Sequence, residues 1–204
     1  GSKLKRCSAC MLAVHHCICS LRPVVETNCA FCFIFYRGEV FKPSNTGRLV
    51  ADVISDNYAF QWQRTELEPA LKSLLENPDY LPIVIFPQEY ALPEKCINQP
   101  SDMGELKPGQ KPLFVILDGT WREAKKMFRS TYLQGLPVLG VQAQQASNYQ
   151  LREAAHSHQL CTAEVCAAVL KLNDEPAAAA LLDSYFDVFR TRYMAGRANI
   201  ILNI

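Results

Sequence analysis

Two groups of residues in this chain have the types and the spacing to do chemistry. Cys7, Cys10, Cys17 and Cys19 form a CxxC pair and, six residues later, a CxC pair. Four thiolates complete a closed tetrahedral zinc site with no open coordination position, so such a metal would be structural. The alternative is a set of buried free cysteines, and a redox pair fits poorly because the second pair is CxC. His15 and His16 are competing ligands, but the sulfur-only set is already complete. The second group is a turn, Leu117, Asp118, Gly119, Thr120 and Trp121. An apolar run from Pro112 to Leu117 ends there, and a basic helical pattern from Arg122 to Arg129 begins. In an α/β protein a ligand sits outside the carboxyl end of a strand, so Asp118 stands where a carboxylate could take a proton. An aspartate before a glycine is equally an ordinary turn residue.

These residues need a scaffold, and the composition bounds it. A chain of 204 residues with 49% hydrophobic and 20% charged residues suits one α/β domain with a small attachment. The division expected is a zinc-binding knuckle over residues 1–22 and a catalytic domain over 23–204. The knuckle is too short to fold on its own apolar burial, so metal would supply its order. The net charge of +1 excludes a globally basic protein, and any nucleic-acid surface must be local. Apolar runs fall short of the roughly 18 residues of a membrane helix, and no secretory signal is visible. With nine cysteines clustered rather than spread, metal is favoured over disulfides and a cytoplasmic setting is expected.

The run from Cys29 to Tyr36 is almost continuously apolar and reads as a strand buried on both faces. Cys29 and Cys32 are a second CxxC, but on a strand residues three apart point to opposite faces, so they read as core. A loop at 43–47 leads into a helix through Leu49 and Val53, with Asn45 or Thr46 as cap. Arg48 in its first turn is either a surface arginine or an anion ligand. Tyr58 to Trp62 reads as a short strand, Glu66 to Glu76 as an amphipathic helix, and Ile83 to Pro87 as a second buried strand. Residues 88 to 112 read as an irregular connection, Leu113 to Leu117 as the third strand and Leu136 to Val141 as a fourth. The helix after the turn carries a capping box, Thr120 to Glu123, with Trp121, Ala124 and Phe128 facing the core. Arg122, Lys125, Lys126 and Arg129 lie together where i,i+4 acidic partners are scarce, which makes them either an RNA contact or a solvated face. Thr162 is the expected cap of a later helix with Glu164 in its first turn and Val165, Val169 and Leu172 inward. A last helix starts at Asp174 to Pro176 with Leu181, Leu182, Tyr185, Phe186 and Phe189 inward. Strands interleaved with helices indicate an α/β fold with a largely parallel sheet.

Taken together, several of these segments resemble the DTW-domain family. They are the DxTW signature at Asp118, Thr120 and Trp121, the four N-terminal cysteines, the loop Ser44 to Arg48, the loop Tyr149 to Glu153 and the helix start Cys161 to Glu164. Within the family the resemblance is greatest to the bacterial tRNA-uridine aminocarboxypropyltransferases. It implies a SPOUT-like fold with a C-terminal knot and S-adenosylmethionine as donor. The reaction implied is transfer of the 3-amino-3-carboxypropyl group to N3 of a uridine in the tRNA variable loop, releasing methylthioadenosine. Asp118 is then the expected catalytic carboxylate. The donor is expected against Phe86, Pro87, Leu117, Gly119, Thr120, Trp121, Tyr149, Leu151 and Thr162. Arg48 or Arg152 would meet its carboxylate and Glu164 its amine. Arg122, Lys125, Lys126 and Arg129 would meet tRNA, and the zinc would be structural. The rival functions are a SPOUT-type RNA methyltransferase and a zinc-knuckle RNA-binding protein without catalysis. No membrane and no obligate protein partner are implied.

Overall fold

The computed structural model describes residues 5–141 and 160–198. Six strands form one sheet: β1 (Ala30–Phe35), β2 (Asn57–Gln61), β3 (Tyr80–Ile85), β4 (Cys96–Ile97), β5 (Lys111–Asp118) and β6 (Val138–Leu139). Their order is β2-β1-β5-β3-β6-β4, and every pairing is parallel. The apolar runs set this arrangement. All six residues of β1 are buried, as required of a strand covered on both faces.

The helices are α1 (Gly47–Val53), α2 (Pro69–Leu75), α3 (Trp121–Phe128), α4 (Thr162–Leu172) and α5 (Pro176–Arg197). Alternate residues of the central strands face opposite layers. Phe31, Phe33, Phe35, Ile83, Ile85, Phe114 and Ile116 pack with α1, α4 and α5. Ala30, Cys32, Ile34, Val84, Leu113 and Val115 pack with α2 and α3. Cys29 and Cys32 separate into these two layers, as a strand requires of residues three apart. The N-terminal segment shares the first layer through Cys10, Leu12 and Ile18, so the knuckle and the sheet have a common core.

Several details differ from the sequence reading. Residues 88–112 contain the short edge strand β4 and three 3₁₀ turns, which local contacts with β6 and Gln88 order. The cap of α4 is Cys161, not Thr162, which is its first helical residue. Leu172 and Leu181 are exposed, because the inward stripes of α4 and α5 are narrower than their apolar composition. A C-terminal knot depends on the connection between β6 and α4, and residues 142–159 lie outside the described residues, as do Tyr149, Leu151 and Arg152.

The order of strands creates one place where outgoing chains diverge. The chain leaving β1 runs through α1 to β2 on one side, and the chain leaving β5 runs through α3 to β6 on the other. The carboxyl ends of these adjacent strands therefore open a crevice, the usual ligand position of an open α/β sheet. Phe33, wholly buried at the centre of β1, supports that edge from within. Phe33→Ala should lower the unfolding free energy by about 3–5 kcal/mol in a denaturant titration.

Candidate active site and metal centre

The turn after β5 forms as its residue types dictate. Thr120 is extended and caps α3, its Oγ1 accepting from the Glu123 amide at 3.4 Å. Glu123 Oε2 in turn accepts from the Thr120 amide at 2.7 Å. Gly119 does not adopt the left-handed backbone region. It is needed for close approach, since a Cβ there would come within 3.1 Å of Glu123 Cβ and 3.2 Å of Tyr36 Cβ.

Asp118 is buried, with 3% of its surface accessible. Asn45 Nδ2 donates to its Oδ1 at 2.6 Å and Thr162 Oγ1 donates to its Oδ2 at 2.7 Å. One carboxylate thus joins β5, the loop before α1 and the start of α4. Gly47 makes room for it, because a Cβ there would sit inside contact distance of Asp118 Oδ2. Asn45 Oδ1 also accepts from the Arg48 amide at 2.7 Å, so Asn45, not Thr46, caps α1 through its side chain. The Thr46 hydroxyl instead accepts from the Ala163 amide at 3.1 Å, capping α4 across the molecule.

Beside this junction lies a cavity of about 590 Å³, within the range of roughly 300–1,000 Å³ usual for small-molecule sites. Of the residues expected to hold a donor, it is lined by Phe86, Pro87, Leu117, Gly119, Trp121 and Thr162. Phe86 and Trp121 stack at 5.4 Å between centroids, and Tyr90 meets Trp121 edge-on at 5.5 Å. Glu89, Tyr90, Val141, Leu160 and Val165 also line it. Leu160 falls within the segment from Tyr149 to Glu164 expected there, whereas Glu89, Tyr90, Val141 and Val165, with Ile85, Ile116 and Ala124, do not. Pro87, at the end of a buried strand, was the one signal that the following residues 88–90 turn back over the strand edge.

Other expected residues stand elsewhere. Asp118 does not itself line the cavity but lies behind Thr162. Thr120 serves the α3 cap, and Glu164 Oε2 accepts from the Cys161 amide at 2.9 Å. Arg48 turns toward the knuckle, where its Nη2 donates to the Cys10 carbonyl at 3.1 Å. Arg122, Lys126 and Arg129 are exposed, and Lys125 is half-buried. Among the described residues none of the four makes an ion pair. Lys125 Nζ lies 5.4 Å from the Trp121 ring and 5.8 Å from that of Tyr90, at the cavity wall. Burial pushes the thiols of Cys29, Cys161 and Cys166 upward, so none has the character of a nucleophile.

The four N-terminal cysteines converge. Their Sγ atoms lie within 4.8 Å of one another. Cys7 and Cys17 are 3.6 Å apart, Cys7 and Cys19 3.7 Å, and Cys10 and Cys17 3.8 Å. A tetrahedron with metal–sulfur bonds of about 2.3 Å has edges of about 3.8 Å, so the thiols could hold a zinc ion. Their titration differs sharply within the cluster. Amides of Cys10 and Ala9 bring Cys7 down to about 6, whereas burial lifts Cys19 to about 12. Four thiolates this close need a cation to coexist. His16 is buried, but its ring lies outside the sulfur cluster.

The DTW domain matches residues 4–194, nearly the whole chain. This protein belongs to the DTW-domain family. The match spans both the cysteine knuckle and the α/β sheet, so the two expected parts fall within one family unit. No solved structure matches the chain. Membership is consistent with a tRNA-modifying enzyme. Among the described residues, no helix is long and apolar enough to cross a membrane.

Two measurements check the site. Cys7→Ser and Cys17→Ser should each lose bound zinc by metal analysis of the purified protein, whereas retention of one zinc per chain in both would rule out the four-thiolate centre. Gly47→Ala should lower stability by about 1–3 kcal/mol, because overpacking moves the Asp118 carboxylate off its two donors. An unchanged melting temperature would show that the carboxylate has room to spare.

Proposed function

We propose that this DTW-domain protein transfers the 3-amino-3-carboxypropyl group of S-adenosylmethionine to N3 of a tRNA uridine. The observation that carries the reading is the cavity at the carboxyl edge of the sheet, walled by Phe86 and Trp121 and lined by Thr162, whose hydroxyl bonds to Asp118 behind it. Its aromatic wall suits an adenine and the adjoining backbone of Leu117 and Gly119 suits the base's polar edge. The sulfonium supplies an activated leaving group, so the displacement needs no Lewis acid, and the knuckle metal serves structure.

The protein's own task is to position the acceptor and accept its proton. Uridine N3 bears a weakly acidic proton at neutral pH and becomes a nucleophile as that proton leaves. Thr162 lines the cavity, and its Oγ1 donates to Asp118 Oδ2. The N3 proton passes to Thr162 Oγ as the hydroxyl proton passes to Asp118. N3 bonds to the donor's aminocarboxypropyl carbon, the carbon–sulfur bond breaks, and methylthioadenosine leaves. Asn45 keeps the carboxylate aimed, and the rigid β5 edge keeps Thr162 and the acceptor in line. The same sulfur carries a methyl group, and its orientation in the cavity decides which carbon the acceptor meets.

Incubation of the purified protein with unmodified tRNA and the donor, followed by nucleoside mass spectrometry, tests the reading. The expected product carries the aminocarboxypropyl mass. An added methyl would support the methyltransferase alternative, and unchanged nucleosides the non-catalytic one. Asp118→Asn and Thr162→Val should each slow transfer by about 10²-fold or more, and donor affinity should persist in Asp118→Asn. Full activity in both would remove the proton route.

A further inference from the structure

A second aromatic cluster lies on the other side of the reactive turn, and the cavity does not use it. Tyr36 is the first residue after β1 and Trp62 the first after β2. Those strands are parallel neighbours with Phe35 opposite Gln61, so their exits bring the two side chains side by side. The rings stack with centroids 5.4 Å apart and planes 19° from parallel. Trp62 is held in orientation by its Nε1, which donates to Ser130 Oγ at 3.0 Å. Both residues are half-buried, packed on one side against the layer of α2 and α3. Lys126 Nζ stands 5.4 Å from the Trp62 centroid and 5.8 Å from that of Tyr36.

This stack adjoins the site. The Tyr36 amide donates to the Asp118 carbonyl at 2.8 Å, and Gly119 is close against Tyr36 Cβ. Across the carboxyl edge of the sheet the order is Trp62, Tyr36, Asp118, Phe86, following β2, β1, β5 and β3. Two aromatic clusters therefore flank one turn. Successive lysines of α3 serve them, Lys125 at the cavity and Lys126 at the outer stack. A seam filler between sheet and helix would need the apolar area alone. Two half-buried aromatic residues with a lysine over their rings, and the exposed Arg129 just past the end of that helix, match the chemistry of an unpaired nucleobase and its phosphate.

We propose that Tyr36 and Trp62 form a stacking platform for an unpaired base of the RNA acceptor, with Lys126 beside it for the backbone. The proposal rests on the reading that the acceptor is RNA and adds where the RNA lies. The cavity side holds the donor, and the Tyr36–Trp62 side holds nucleotide. Stacking uses the π-face common to all bases, so the platform sets the position of the strand rather than its sequence.

The chain has two tryptophans, so Trp121→Phe leaves Trp62 as the sole reporter. Its fluorescence should be quenched saturably by a single-stranded uridine oligonucleotide and by tRNA, but not by inorganic polyphosphate, which offers charge without bases. Uridine monophosphate separates a base-only pocket from a strand site, and quenching should need at least a hundredfold more of it than of the oligonucleotide. Equal quenching by the monophosphate would make this a nucleotide pocket and overturn the strand platform. RNA that binds without quenching overturns it too. In the otherwise unaltered chain, Tyr36→Ala and Trp62→Ala should weaken tRNA binding by roughly tenfold each. Trp62→Phe should restore most of it, and affinity for the donor should not change. Quenching in the Trp121→Phe chain with no transfer product from the unaltered chain would sink the transferase reading alone. Transfer at full rate and unchanged KM for tRNA in both alanine variants would sink the platform alone.

Discussion

The carboxylate of Asp118 is the tie on which the site depends. It sits where the chains leaving β1 and β5 part, and it closes that divergence with two hydrogen bonds, one to Asn45 and one to Thr162. A buried carboxylate is tolerable only with its acceptors met, and here each oxygen has a donor from a different segment. Gly47 is the matching concession, a missing side chain that admits the carboxylate to the helix start. Removing the carboxylate would leave two donors without an acceptor, at a cost of roughly 1–3 kcal/mol each. Structure and chemistry are consequently hard to separate at this residue, which is why Thr162, facing the cavity, is the more accessible member of the pair.

The knuckle is fastened to that same layer. Arg48, one residue beyond Gly47, donates to the Cys10 carbonyl, and Arg192 of α5 donates to the Cys17 carbonyl at 2.8 Å. Cys10, Leu12 and Ile18 bury against the sheet's aromatic layer. The backbone that carries the four sulfurs is thus braced by two guanidinium groups, at Cys10 and Cys17, and by the core. A metal there would steady the loop that caps α1 and hence the donor of one hydrogen bond to Asp118.

How much of this was legible in the sequence follows from where the information lies. The buried strand β1, the capping box of Thr120 and Glu123, and the convergence of the cysteine set are local patterns, and they appear as read, whereas β3 starts three residues before Ile83 and β6 keeps only two residues of the run from Leu136. The burial of Asp118 is not local, because its partners are 73 and 44 residues away. The same holds for Thr46, whose hydroxyl goes to α4 instead of its own helix, and for Arg48, which a first-turn position marks as either a surface arginine or an anion ligand. Tyr36 and Trp62 each look like the last residue of a strand. Only the parallel pairing of β1 with β2 makes them neighbours. The strand β4 has two residues and no periodicity to read.

The long-range caps carry a consequence for the order of assembly. During synthesis the N-terminal thiols and α1 emerge first, yet the amide that Thr46 accepts from belongs to Ala163 and the guanidinium that braces Cys17 belongs to Arg192. The nascent chain must therefore wait for its last third before the first third is closed. Until α4 and α5 arrive, the aromatic layer of β1 is open to solvent on one side, and the cysteine cluster is the one early element that a metal alone could order. Metal supply would then bear on whether the growing chain stays soluble, well before any substrate is present.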